Sequence, residues 1–180
     1  MADNSVSFNF TAYYEDIKII GINSAMVDYK MAWNINKTLG FHFVRQTDIP
    51  IGNNDYSFYY YTTGSQTAEG NIYDLVSIMR QGEKWISLSP SVDYMLIIRN
   101  EIWKEKLEGM VTSIRSIKGV NHAFIIECNK ALGPFMETIE LHEISIQEKL
   151  SARRKLSDIK QELLEKQLRK KYQGGETSMF

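Results

Sequence analysis

The sequence predicts an α+β fold of two layers: a mostly antiparallel sheet with two helices on one face, plus a C-terminal basic amphipathic helix. Three observations carry this. Ile17, Ile19, Ile20 and Ile22 form a run too continuous for a strand with one wet face, and a helical pattern follows at once. A second amphipathic segment spans residues 101–117, and the stretch between the two helices breaks into short β-rich runs separated by turns. Each helix has a single apolar stripe, so packing both against one face of one sheet is the economical arrangement.

Residues 16–22 read as a central strand. Ser24 is placed to cap the following helix, whose first turn holds Asp28, a favourable site for a carboxylate beside unpaired N–H groups. Ala25, Tyr29, Ala32, Trp33, Asn36 and Leu39 share one side of that helix, and Gly40 suits a left-handed C-terminal cap. Alternation then predicts strands over 41–47 and 56–62, with a turn at IPIGNND between them. After a loop at GSQTAEGN come a strand over 72–80, a QGEK turn forming a hairpin with 85–88, and a strand over 92–99. The helix at 101–117 sets Trp103, Leu107, Met110, Ile114 and Ile117 on one stripe, so Trp33, Trp103 and Leu107 are expected to be buried. Gly119 stops it, and 123–128 returns as a strand. Residues 135–147 fit a strand by their β-branched content, or a helix by the spacing of Met136, Ile139, Ile146 and Leu150. The expected organisation is a flexible N-terminus at 1–12, an α+β domain over 13–147, a basic helical arm over 148–172 and a flexible tail at 173–180.

A chain of 180 residues, 43% hydrophobic and 24% charged, has ordinary globular composition and enough length for one core without disulfides or metal. Its single cysteine, Cys128, lies in AFIIEC, where a small buried hydrophobe is expected, and a lone thiol fits a reducing compartment. No cationic and apolar leader opens the chain, and no apolar run approaches the roughly 18 residues of a membrane span. A cytoplasmic location without a membrane span is therefore expected. The net charge of −1 hides an asymmetry. Residues 1–147 carry 12 Lys and Arg against 17 Asp and Glu, whereas 148–171 carry 9 against 4, so an acidic body precedes a basic segment.

Two blocks carry a likeness to a known family: EDIKIIGINSAMVDYKMAWNINKTLGFHFVRQ at 15–46 and SVDYMLII at 91–98. Together they resemble the IPExxVDY family of small intracellular bacterial proteins, which has no established activity. The likeness spans roughly 14–132 and is best over 28–48 and at Val92, Asp93 and Tyr94. Ser87, Leu88 and Ser89 stand where the family motif has Ile, Pro and Glu, with a proline instead at Pro90, so no role passes over from the family's glutamate. The resemblance implies an α+β protein of the bacterial cytoplasm and supplies no catalytic residues. The basic helix beyond about Leu141 lies outside the shared region.

Metal chemistry has little support: His42, His122 and His142 are far apart, and Ile146 stands where a zincin's second histidine belongs after His142–Glu143. The eleven glycines form neither a P-loop nor a dinucleotide fingerprint, and no G-x-S-x-G elbow occurs. No catalytic residue, metal or cofactor is therefore expected from motifs, although scattered carboxylates can still converge in space.

The structural or binding candidates are Asp28, Asn36, Arg45, Asp93 and Tyr94. Asp93, flanked by apolar residues on a strand, requires a specific partner such as Arg45, Arg99 or backbone N–H groups. A structural carboxylate is the plainer role for it, and ligand binding the sharper one. Asn36, on an apolar stripe, is expected to satisfy a buried loop or neighbouring strand. The aromatic run SFYYYT has no interleaved Lys or Arg and sits in an acidic body, which favours core packing or a dimer seam over a base-stacking platform.

In the arm, Leu156, Ile159 and Leu163 form a stripe continued by Leu164, Leu168 and Tyr172. A long coiled coil is disfavoured because the heptad seam meets Lys166 and Lys170. Arg153, Arg154, Lys155, Ile159, Leu163, Leu168, Arg169, Lys170 and Lys171 are the expected partner-binding residues. The expected function is that of a non-catalytic protein-binding or adaptor module, its partner a protein and self-association included. Nucleic-acid association through the basic helix is the alternative, and an enzyme without a recognisable motif the second.

Overall fold

The isoleucine run folds as β1 (Lys18–Asn23), an interior strand with a neighbour on each side. The computed structural model describes residues 16–63, 70–99 and 102–173, the side chains of 167–173 excepted. The chain falls into two units, Met1–Thr138 and Ile139–Phe180.

In the first unit β1 is followed by α1 (Asp28–Leu39), β2 (Val44–Arg45), β3 (Ile49–Ile51), β4 (Asn54–Tyr56), β5 (Phe58–Thr62) and β6 (Ile72–Ser77). Then come β7 (Met79–Arg80), β8 (Glu83–Lys84), β9 (Tyr94–Arg99), α2 (Lys104–Arg115), β10 (His122–Ile126) and a 3-10 turn (Lys130–Leu132). Six strands form one sheet in the order β10-β1-β9-β6-β5-β2, every pairing antiparallel. The hairpins β3–β4 and β7–β8 stand apart from it. The fold is α+β with a mostly antiparallel sheet.

One face of the sheet packs against both helices. Ile20 and Ile22, Tyr94, Leu96 and Ile98, and Tyr73 and Leu75 meet Met31, Ala32 and Ile35 of α1 and Leu107, Met110, Val111 and Ile114 of α2. Ile19, Phe58, Val76, Met95 and Ile97 alternate with these and are buried too, so the central strands are dry on both faces. Within this unit Trp85 packs on Tyr56 and Phe135, with ring centroids 5.6 and 4.6 Å apart. Asp74 is fully buried in the middle of β6 and pairs with Arg99 at 3.0 Å.

Several expectations need correction. Trp33 and Trp103 are exposed, at 60% and 74%. Trp103 is the extended residue before α2, so it stands outside the helix whose stripe it was expected to share, while Leu107, Met110, Ile114 and Ile117 are buried. In α1 the i, i+4 set of Met31 and Ile35, with Ala32, faces the sheet, which turns Tyr29 and Trp33 outward. Trp33 keeps part of its surface under Lys37, whose Nζ lies 5.3 Å from the ring centroid. Ser24 does not cap α1: Val27 holds the cap position without a side-chain bond. The Ser24 hydroxyl instead accepts from Met26 N at 3.1 Å and donates to the Gly119 carbonyl at 2.7 Å. Gly40 does end α1 in the left-handed conformation, at φ 70.

The strand expected over 41–47 shrinks to β2, because Phe43 N donates to the Asn36 side chain at 2.8 Å. The run 72–80 breaks at Ile78, and the hairpin partner of β7 is β8 rather than 85–88. Gln81 and Gly82 turn it with φ of 50 and 84, the two positive values of a type I′ turn. Cys128 lies beyond β10 and is only partly buried. Residues 135–147 are helical, part of α3 (Gly133–Gln173), which runs on into the second unit. Of the flexible ends expected at 1–12 and 173–180, Gln173 is the last residue of α3, and 1–12 and 174–180 lie outside the described residues. So do the side chains of Leu168, Arg169, Lys170 and Lys171. Among the described residues no helix is long and apolar enough to cross a membrane.

Candidate functional site

The turn from β1 into α1 needs an anchor, because residues 24–27 leave the sheet before the helix supplies hydrogen bonds of its own. Asp93, just ahead of β9, provides it. Asp93 Oδ2 accepts from Ser24 N at 2.9 Å and from Asn23 Nδ2 at 3.0 Å. Its backbone N–H donates to the Ile22 carbonyl at 2.8 Å, and its carbonyl accepts from Ile78 N at 2.9 Å. Lys84 Nζ lies 3.6 Å from Asp93 Oδ1 and donates to the Val92 carbonyl at 3.0 Å and to the Ser91 hydroxyl. Asn121 continues the cluster, donating its side-chain amide to Asn23 Oδ1 at 2.9 Å. The Tyr94 hydroxyl donates to the Met26 carbonyl and so holds the same turn from its other side.

Asp28 opens α1 and accepts from Tyr29 N at 2.8 Å. Arg45 on the edge strand donates to Asp28 Oδ2 at 2.6 Å, to Asp48 at 2.8 and 2.9 Å, and to the Tyr59 hydroxyl at 3.2 Å. Burial pushes the Asp28 carboxyl up, but the Tyr29 N–H and the Arg45 guanidinium pull harder, and the net shift is downward. The Ser57 hydroxyl adds a small downward pull, although it makes no hydrogen bond of good geometry. For Tyr94 every influence acts in one direction. Burial raises its pKa first, and the nearby Asp28 and Asp93 charges raise it further, so the phenol stays protonated.

These groups line a cleft of about 570 Å³ in the first unit. Its walls are Asn23 to Asp28, Ser57, Ser77, the β7–β8 hairpin tip from Met79 to Gly82, Asp93, Tyr94 and Asn121. The structure thus brings Asp28, Asp93 and Tyr94 together, with Arg45 behind Asp28. Asn36 lies apart, its side chain satisfying Phe43 N at 2.8 Å and the Phe43 carbonyl at 3.5 Å. The two arginines considered as partners of Asp93 serve other carboxylates: Arg45 holds Asp28 and Asp48, and Arg99 holds Asp74.

Lys84, Asn23 and Tyr59 are site residues that the sequence did not reveal: the strand register brings Asn23 to Asp93 and Tyr59 to Arg45, and the β7–β8 hairpin carries Lys84 to Asp93. Ser24, expected as a helix cap, is instead a partner of Asp93. Asp74 left a faint signal, a lone charge inside the apolar run IYDLV. Among the described residues no group of three or more His, Cys, Asp or Glu is placed to hold a metal ion.

No family model, curated protein or solved structure matches the chain.

In the second unit α3 carries Leu156, Ile159, Leu163 and Leu164, each more than half exposed, beside the exposed Arg153, Arg154 and Lys155.

Proposed function

We propose that this chain is a non-catalytic protein-binding module whose C-terminal helix is the recognition element. The observation that carries it is the stripe of Leu156, Ile159 and Leu163, exposed by 53%, 54% and 54% on a basic helix. A helix of this kind gains most of its stability from burying such a stripe, and laying it into a partner's apolar groove is a common mode of recognition. The charge of residues 148–171, 9 basic against 4 acidic, suits a groove with an acidic rim. Asp28, Asp93 and Tyr94 act as structural groups that shape the β1–α1 turn. The likeness of Val92, Asp93 and Tyr94 and of residues 28–48 to the IPExxVDY family supports a bacterial cytoplasmic setting.

The test is affinity capture with the tagged full chain, with and without nuclease, in parallel with the Ile159→Asp/Leu163→Asp variant. A nuclease-resistant protein partner lost in the variant supports the proposal. Recovery that disappears with nuclease and falls steeply with salt favours nucleic-acid association through Arg153, Arg154 and Lys155 instead.

A further inference from the structure

The cleft beside the β1–α1 turn is polarised between floor and rim. On the floor lie the side chains of Asp28 and Asp93, only 17% and 15% exposed. Asp93 Oδ2 is used twice, but among the described residues Oδ1 has only Lys84 Nζ, at 3.6 Å, which is too far for a hydrogen bond. Ser57, 4% exposed, adds a hydroxyl that makes no hydrogen bond of good geometry among the described residues and lies near enough to Asp28 to lower its pKa slightly. An acceptor and a hydroxyl left in this state next to a cavity are poised to meet a donor from outside the chain.

The rim has the opposite sign. Arg80 and Gln81 stand exposed at the tip of the β7–β8 hairpin, and Arg80 makes no ion pair or side-chain hydrogen bond among the described residues. The two aspartates, paired with Arg45 and faced by Lys84, disfavour a purely anionic ligand, and a purely cationic one would leave the rim guanidinium without a role. A volume of about 570 Å³ falls within the range of small-molecule sites.

We infer that this cleft binds a small zwitterion of the amino-acid type, its ammonium group on the Asp28 and Asp93 floor and its carboxylate on Arg80. The ammonium donates to Asp93 Oδ1 and the Ser57 hydroxyl, and the carboxylate accepts the fork of Arg80 donors. This site is independent of the arm and of the protein-binding function.

The experiment is isothermal titration of the full chain with L-alanine, L-glutamate and L-lysine, each compared with its N-acetyl and C-amide derivative. At least one free amino acid should bind with a Kd at or below about 1 mM. Acetylation should abolish that binding, and amidation should weaken it about 10-fold or more, the usual effect of losing one charge-assisted pair. Arg80→Gln should weaken the free acid to the same degree, leave the amide's affinity unchanged, and leave Tm unchanged. Asp28→Asn should weaken both. If that variant fails to fold, the comparison of Arg80→Gln with the amides decides alone. No binding up to about 10 mM by any of the three would overturn the inference. So would amides that bind as tightly as the acids, which would make the ligand a simple cation, or an affinity for the acid that Arg80→Gln leaves intact.

Discussion

The Asp93 carboxylate accepts the Ser24 amide at 2.9 Å, across 69 residues of sequence. Together with the Asn23 and Tyr94 bonds, this bond ties the β1–α1 turn to the residue just ahead of β9. The other oxygen faces Lys84, so the carboxylate is both an acceptor for the turn and a counter-charge. Asp93→Asn keeps one acceptor and loses the charge. The expected cost is about 1–3 kcal/mol in urea denaturation, the usual effect of weakening a largely buried charged hydrogen bond. An unchanged midpoint would show that Asp93 is not the anchor of this turn.

Acid should weaken the same end of the molecule through Asp28. Its folded pKa lies below the ordinary value of 3.8, so its pairing stabilises the fold fully above that value. The contribution is lost as pH falls through the lower folded pKa, which puts the window below about pH 4. Stability measured from pH 6 downward should fall more steeply in this window for the wild type than for Asp28→Asn. Parallel curves would mean that Asp28 gains nothing from Arg45 and the Tyr29 N–H.

The two helices give a sharp contrast between a buried and an exposed side chain. Ile114 is fully buried under the sheet, whereas Trp103 is 74% exposed. Ile114→Ala should cost about 2–5 kcal/mol and Trp103→Ala no more than about 0.5 kcal/mol. Thermal or chemical denaturation of the two variants checks this. A reversed order would mean that α2 presents its other face to the core.

The contrast also shows what the sequence made legible. Local pattern and punctuation sufficed for β1, α1, α2 and β9, because the isoleucine run, Gly40 and the Leu107, Met110, Ile114 set act within one element. Trp33 and Trp103 were misplaced because periodicity weighs a tryptophan as core, whereas packing settled on Met31 and Ile35 in α1 and began α2 one residue after Trp103. The candidate site was half legible. Asp28, Asp93 and Tyr94 stand out as polar groups among apolar neighbours, but their partners are set by register. Asn23 meets Asp93 because Ile22 pairs with Tyr94, and Arg45 meets Tyr59 across the β2–β5 pair. No local signal identifies such partners, and the Asp74–Arg99 pair was missed for the same reason.

The measurement that bears most directly on the proposed function is quantitative capture by the tagged full chain and by its Ile159→Asp/Leu163→Asp variant, both treated with nuclease. Both side chains are more than half exposed, so the substitutions should leave the Tm of the protein within about 1 °C of wild type. The expected result is one or more protein partners that are enriched by the wild type, resist nuclease and are lost in the variant. Equal recovery of the same partners by both chains would contradict the claim that α3 is the recognition element.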